Sequence, residues 1–242
     1  PEVASERDDM KCRISQTPEI DVILGGEASG YYADHWTPVT TVDGIVKIRS
    51  LATVFATGVF EQPAVFHNND LPGVLLASAA QRLIARYAVK PCDKAVIFTS
   101  NSEGYRAALD FLKVGGEVAG IVDTGDSASR GSLVSDIRDR GVTIHDSCMI
   151  YEAISIDGQL GSVVVTAIDG VGEPDHTQRL RIECDGLLMS VGWAPAAALL
   201  CQAGGDMYYD ERVGQFVPVS LPEGVFSAGR VNGVFNLEDR IS

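Results

Sequence analysis

Residues 94–123 read KAVIFTSNSEGYRAALDFLKVGGEVAGIVD. Residues 94–99 are β-branched, apolar and aromatic after a single lysine, which predicts a buried strand. From Ser102 to Val114 the apolar residues recur at helical spacing and predict an amphipathic helix over 102–114. A second strand is predicted over 117–123. Strand, helix and strand within about 30 residues is the size of a βαβ unit, the building block of a parallel sheet.

Working outward, 133–140 reads as a further helix and 142–145 as a further strand of the same sheet. Upstream, 73–87 is helical by period, with Leu75, Leu76, Ala79, Leu83 and Ile84 on one face. Residues 150–156, 162–168 and 178–183 alternate as an antiparallel meander, with turns at Asp157-Gly158 and Asp169-Gly170. A buried strand at 187–190, a short helix at 196–203 and a last strand at 225–229 follow. Towards the N-terminus, 21–24 reads as a short strand and Gly25-Gly26 as a break. A meander of 28–33, 36–41 and 44–49 comes next, turning at Asp43-Gly44, then an apolar, buried strand at 51–56. Residues 2–11 are charged and without period, and a helical pattern starting at Asn236 has no stop signal, so both ends read as cut from something longer. The expected class is α/β: a Rossmann-like βαβ domain with antiparallel β-meanders, inserted into part of a second dinucleotide-binding domain. The expected division is 1–72 for a partial outer domain, 73–186 for the insertion and 187–242 for the return to the outer domain.

The chain carries 19 Lys and Arg against 33 Asp and Glu, a net charge of −14. That field repels phosphate at long range, and no run of basic residues offsets it, so nucleic-acid binding is set aside. No stretch approaches the roughly 18 apolar residues of a membrane span, and no leader is visible. Five cysteines, none in a C-x-x-C pair, read as buried reduced thiols of a cytoplasmic protein. His35, His67, His145 and His176 have no ligand spacing. G-x-S-x-G, a Walker loop and H-E-x-x-H are absent, so no catalytic residue and no metal ligand is assigned.

Chemistry in a βαβ unit sits at its first turn, where G-x-G-x-x-G allows a tight turn, a close pyrophosphate and close helix packing. Here those positions are Thr99, Asn101 and Gly104, and only the packing glycine remains. Asp123 ends the second strand, where a ribose-binding carboxylate belongs. Thr99, Asn101, Gly104 and Asp123 thus form a weak second nucleotide site, read as a structural unit that kept its fold in preference to a working one. Three strands end on glycine: at Ala56-Thr57-Gly58, at Ser190-Val191-Gly192-Trp193, and at Ser227-Ala228-Gly229-Arg230. Glycine at a strand's C-terminal end lets a ligand lie against the backbone.

Ala56-Thr57-Gly58 with Pro63, Gly192-Trp193-Ala194-Pro195 and Ser227-Ala228-Gly229 resemble the signatures of the pyridine-nucleotide-disulfide oxidoreductase superfamily with two dinucleotide domains. Arg230 stands where that superfamily has an Asp. The run Asn69-Asp70-Leu71-Pro72-Gly73-Val74 and the loop Phe98-Thr99-Ser100-Asn101 are most similar to the alpha subunits of heterotetrameric sarcosine oxidases and their opine-oxidase relatives. The resemblance implies a dinucleotide, NAD or FAD, held in the outer domain by Ala56, Thr57, Gly58, Gly192, Trp193, Ser227, Gly229 and Arg230. It also implies a beta subunit that oxidises an N-methyl amino acid on FAD, with FMN at the interface, and places the family's first G-x-G-x-x-G strand before Pro1. On this reading the chain binds cofactor and assembles but does not oxidise substrate, and by itself it retains no cofactor and self-associates through the exposed side of 51–56. Opine, hydroxyproline, N-methylglutamate and cyanide-forming glycine oxidation stay open, as does a non-catalytic interaction module with a decayed site. For Arg230 two readings stand: a partner of a cofactor phosphate, or a surface arginine.

Overall fold

The computed structural model describes residues 2–235; the side chains of residues 2–7 and of His176, and the helical pattern beginning at Asn236, lie outside it. The elements in chain order are α1 (Glu2–Ser15), β1 (Glu27–Ala28), β2 (Trp36–Thr41), β3 (Gly44–Arg49), β4 (Thr53–Phe55), β5 (Val59–Glu61), β6 (Val74–Leu76), α2 (Ala77–Tyr87), β7 (Lys94–Thr99), α3 (Ser102–Lys113) and β8 (Glu117–Asp123). They continue with α4 (Ser132–Arg138), β9 (Ile144–His145), β10 (Cys148–Ile156), β11 (Gln159–Ile168), β12 (Pro174–Glu183), β13 (Gly186–Ser190), β14 (Trp193–Pro195), α5 (Ala198–Gln202), β15 (Asp206–Asp210), β16 (Gln215–Ser220) and β17 (Val225–Ser227). Two compact units result: Pro1–Ala56 with Ala197–Met207 and Pro218–Ala228, and Thr57–Ala196 with Tyr208–Val217 and Gly229–Ser242.

The second unit is built on a five-stranded sheet in the order β6-β13-β7-β8-β9, parallel throughout. Alternation along its strands divides two cores. Ala95, Ile97 and Leu188 face helices α2 to α4, packing on Tyr105, Ala108, Phe111 and Ile137. Val96, Phe98, Leu187 and Met189 face the antiparallel sheet β10-β11-β12, packing on Ile150, Val163 and Val165. Both faces of a parallel sheet must be covered, and here helices cover one and a meander the other. Asp157 and Gly158, at φ of 52° and 83°, close the β10–β11 hairpin as the primed turns of such hairpins require.

In the first unit β1-β2-β3 form an antiparallel sheet, and β4 pairs in parallel with β17. Tyr31 meets Phe55 edge-on at 5.5 Å between ring centres.

Several expectations need correction. The stretch 73–87 is not one helix: Val74–Leu76 is an edge strand paired with β13, and the helix begins at Ala77. Leu75 and Leu76 fit both periods, and strand pairing decides. Residues 21–24 form no strand and are exposed, because no strand among the described residues pairs with them. The charged 2–11 stretch lies in α1, whose polar sequence offers no apolar stripe to read but has good helix formers and a Lys11–Asp8 pair at 3.7 Å. The 51–56 strand is not buried: Phe55 is, while Leu51 is 97% and Val54 61% exposed. Of the five cysteines only Cys184 is buried; Cys12 and Cys201 are exposed.

Candidate functional site

The turn after β7 is closed by side chains. Thr99, fully buried, shares its one Oγ1 proton between the carbonyls of Ser190 (3.0 Å) and Asn101 (2.8 Å). A Cβ at Gly104 would lie 2.4 Å from Thr99 Cβ and Oγ1, so helix α3 touches the strand through a residue with no side chain. Asn101 caps α3, its Oδ1 accepting from the Glu103 amide at 2.9 Å. Its Nδ2 donates to the Ser190 carbonyl at 2.9 Å. Asp123, at the tip of β8 and 0% exposed, is held by Arg130 through Nε and Nη2, both at 3.0 Å. Tyr105 also donates to it at 3.0 Å, and burial, ahead of the adjoining carboxylate, pushes the Tyr105 hydroxyl well above its usual range.

A second cluster forms around Trp193. Strand β14 pairs antiparallel with β5, Trp193 opposite Glu61, and the Gln62 amide donates to the Gly192 carbonyl at 2.9 Å. Thr57 Oγ1 donates to the Ala196 carbonyl at 2.7 Å, and the Ala196 amide returns a bond to Gly58 at 3.0 Å. Gly58 and Gly229 take φ of 76° and 73°, a backbone open to glycine, so both strand ends turn sharply. Arg230 follows in a short 3₁₀ turn. Its guanidinium lies 5.5 Å from the Trp193 ring centre and 5.6 Å from that of Phe235, within cation–π range of both. Among the described residues its buried Nε has no hydrogen-bond partner, and its Nη2 reaches Glu103 only at 4.0 Å. Glu103 is itself taken by Arg106 at 2.5 Å.

Arg230, Trp193, Glu61, Ser78, Arg82 and Glu103 line a cavity of ≈ 400 Å³. Ser100, Asn101, Arg106, Gly192, Trp193 and Arg212 line a broader one of ≈ 850 Å³. Of the residues singled out in the sequence, Asn101, Gly192, Trp193 and Arg230 therefore meet at cavities. Thr57 and Gly58 lie at the base of the same pair of strands, while Ala56 and Ser227 stand at strand ends of the first unit, where the Ala228 amide bonds to Phe55 at 3.0 Å. Sequence reading missed Arg130, Glu103 and Phe235. Arg130 and Phe235 acquire their roles across turns, from Asp123 and Arg230, whereas Glu103 and Arg106 stand three apart on the helix predicted over 102–114, a spacing that marks the pair locally. Among the described residues no group of three His, Cys, Asp or Glu side chains converges as a metal site would, and no helix is long and apolar enough to cross a membrane.

No protein-family profile matches the chain. It is 30% identical over 204 residues to the sarcosine oxidase alpha subunit of Corynebacterium sp. strain P-1, covering 82% of this chain and 20% of that one. It is 29% identical over 239 residues to the alpha subunit of Rhizobium meliloti, covering 91% and 22%. The chain thus spans about a fifth of the length of the curated relatives it matches. Among solved structures it resembles an HOCl-induced flavoprotein disulfide reductase of Escherichia coli, with a TM-score of 0.65 at 21% identity over 97% of this chain and 51% of that one. It also resembles the thioredoxin reductase of T. acidophilum, with a TM-score of 0.63 at 16% identity over 90% and 68%. The resemblance to sarcosine oxidase alpha subunits is borne out by these alignments, and the α/β class with a Rossmann-like insertion by the solved folds.

Proposed function

We propose that the chain is a cofactor-binding and assembly segment of a sarcosine-oxidase-type alpha subunit, acting in the oxidative demethylation of an N-methyl amino acid without oxidising it itself. The observation that carries this reading is Arg230: a guanidinium set between two aromatic rings at the wall of a cavity, with a buried Nε that no group among the described residues satisfies. A buried donor left without a partner costs about 1–3 kcal/mol, so its retention calls for a ligand acceptor. A phosphate or carboxylate oxygen supplies one, and a dinucleotide, NAD or FAD, carries such oxygens. Arg230 would pair with the pyrophosphate, Trp193 would cover a ring of the cofactor, and Gly58, Gly192 and Gly229 would let it lie close to the backbone with Thr57 at the edge. Bound, the dinucleotide supplies either redox capacity or a fixed filling that orders the subunit. The partner in this reading is the beta subunit, in the cytoplasm, which holds the oxidising flavin.

The test uses the chain co-expressed with a beta subunit of this type. Denaturation is expected to release a dinucleotide near one per complex, measured by mass spectrometry. Arg230→Ala should cut that content at least tenfold while Arg230→Lys keeps part of it. Equal cofactor content in wild type and Arg230→Ala would refute the assignment.

A further inference from the structure

We propose that the nucleotide end of the inserted parallel sheet is filled from within by Arg130, so that this domain takes no dinucleotide and its tip braces the crossover that presents Trp193. In a working βαβ site three things are open: acceptors on the carboxylate that ends the second strand, amides at the start of the helix, and space where glycines let the pyrophosphate approach. All three are occupied here. The Asp123 carboxylate, with about four lone-pair sites, already accepts from Arg130 Nε, Arg130 Nη2, Tyr105 and the Gly125 amide, all at 3.0 Å. A ribose hydroxyl has no acceptor left on it. The Glu103 amide, which would face a phosphate at the start of α3, is taken by Asn101 Oδ1, and the Asn101 amide by Thr99 Oγ1 at 3.1 Å. The Thr99 side chain fills the space of the first glycine, against Gly104.

The same bonds reach the crossover. Arg130 Nη2 donates to the Ser100 carbonyl at 2.8 Å, joining the tips of β7 and β8. Ser100 in turn donates from Oγ to the Val191 carbonyl at 2.5 Å and from its amide to Ser190 at 3.1 Å. Val191 leads directly into Gly192 and Trp193. Arg130 therefore acts on Trp193 through Ser100, as a positioning residue. This inference does not rest on the Arg230 reading: a cofactor released from the complex leaves it untouched, and an empty Arg230 cavity does too.

The experiment measures melting temperature and nucleotide contacts of the same variants. In a ribose-binding site Asp123→Asn weakens nucleotide binding and shifts Tm by less than about 2 °C. In the self-filled site it uncovers the Arg130 charge, and Tm should fall by roughly 6–20 °C with cofactor content unchanged. If Asp123→Asn does not fold, the paired variant Asp123→Leu with Arg130→Met should fold and recover most of the wild-type Tm. Photolabelling with 8-azido-NAD should give no adduct on residues 99–106 or 123–130; an adduct there that excess NAD suppresses overturns the proposal. The brace is read separately in a Trp36→Phe background, where Trp193 is the remaining tryptophan. Arg130→Ala should shift Trp193 emission and raise its quenching by acrylamide, with Arg130→Lys intermediate. Identical emission and quenching in all three would overturn the bracing role.

Discussion

Gly104→Ala is the substitution in which opposing effects of similar size can be set against each other. Gly104 lies in the first turns of α3, where alanine is the better helix former by about 0.8–1.0 kcal/mol. On propensity alone the change stabilises. The added Cβ, however, would come within 2.4 Å of both Cβ and Oγ1 of Thr99, and 3.1 Å of its Cγ2. Thr99 cannot swing away freely, because it is fully buried and its hydroxyl bonds to two carbonyls. Overpacking of this kind costs about 1–3 kcal/mol, and loosening the hydroxyl bond, one proton shared between the two carbonyls, adds about 1 kcal/mol if it is lost. The net expectation is a loss of about 1–3 kcal/mol, or roughly 2–12 °C in Tm for a chain of this size. In a Thr99→Gly background the obstructing atoms are gone, and the same Gly104→Ala change should stabilise by about 1 kcal/mol. Urea unfolding of the four proteins of this double-mutant cycle measures the coupling. Equal effects of Gly104→Ala in the two backgrounds, or stabilisation in the wild type, would refute the reasoning that Thr99 and Gly104 are packed against each other.

The thiols should separate by exposure. Burial, reinforced by nearby carboxylates, raises Cys92 and Cys184 to about 12, so a disulfide reagent at pH 8 should modify Cys12 and Cys201 quickly and those two only on unfolding; prompt labelling of Cys184 in the folded chain would contradict this. His145 is held below its ordinary value of 6.5 by burial, which outweighs the nearby Asp146 carboxylate. The unfolded chain then binds the extra proton first, so stability should decline as pH falls below about 6.5. His145→Gln should flatten that part of the profile, and an unchanged slope between pH 7 and 5 would show that His145 does not contribute.

Much of the second unit was legible in the residues themselves. Strands β7 and β8 fall where continuous apolar runs put them, because a strand buried on both faces has to be apolar nearly throughout. The β10–β11 hairpin was legible in Asp157-Gly158, whose positive φ values few other pairs accept. Short segments were less legible. Val74–Leu76 and Val59–Glu61 are three-residue strands whose state depends on the partner strand that reaches them, β13 in one case and β14 in the other. Neither period nor propensity over three residues can announce a partner more than 100 positions away. Conversely, 21–24 has strand-like residues but no partner strand among the described residues, and stays irregular.

The candidate site divides in the same way. Departures from the glycine fingerprint at Thr99 and Asn101, and the arginine at 230 where a carboxylate is usual, are visible residue by residue, since they are single-position chemistry. That Asp123 is already spent on Arg130, and that Arg230 keeps a buried nitrogen unsatisfied among the described residues between Trp193 and Phe235, were decided by the tertiary structure alone. A sequence carries the identity of each donor and acceptor; whether a given pair lies within 3 Å and shut off from water is set by how strands, helices and turns are brought together, and there the value of a charge is settled.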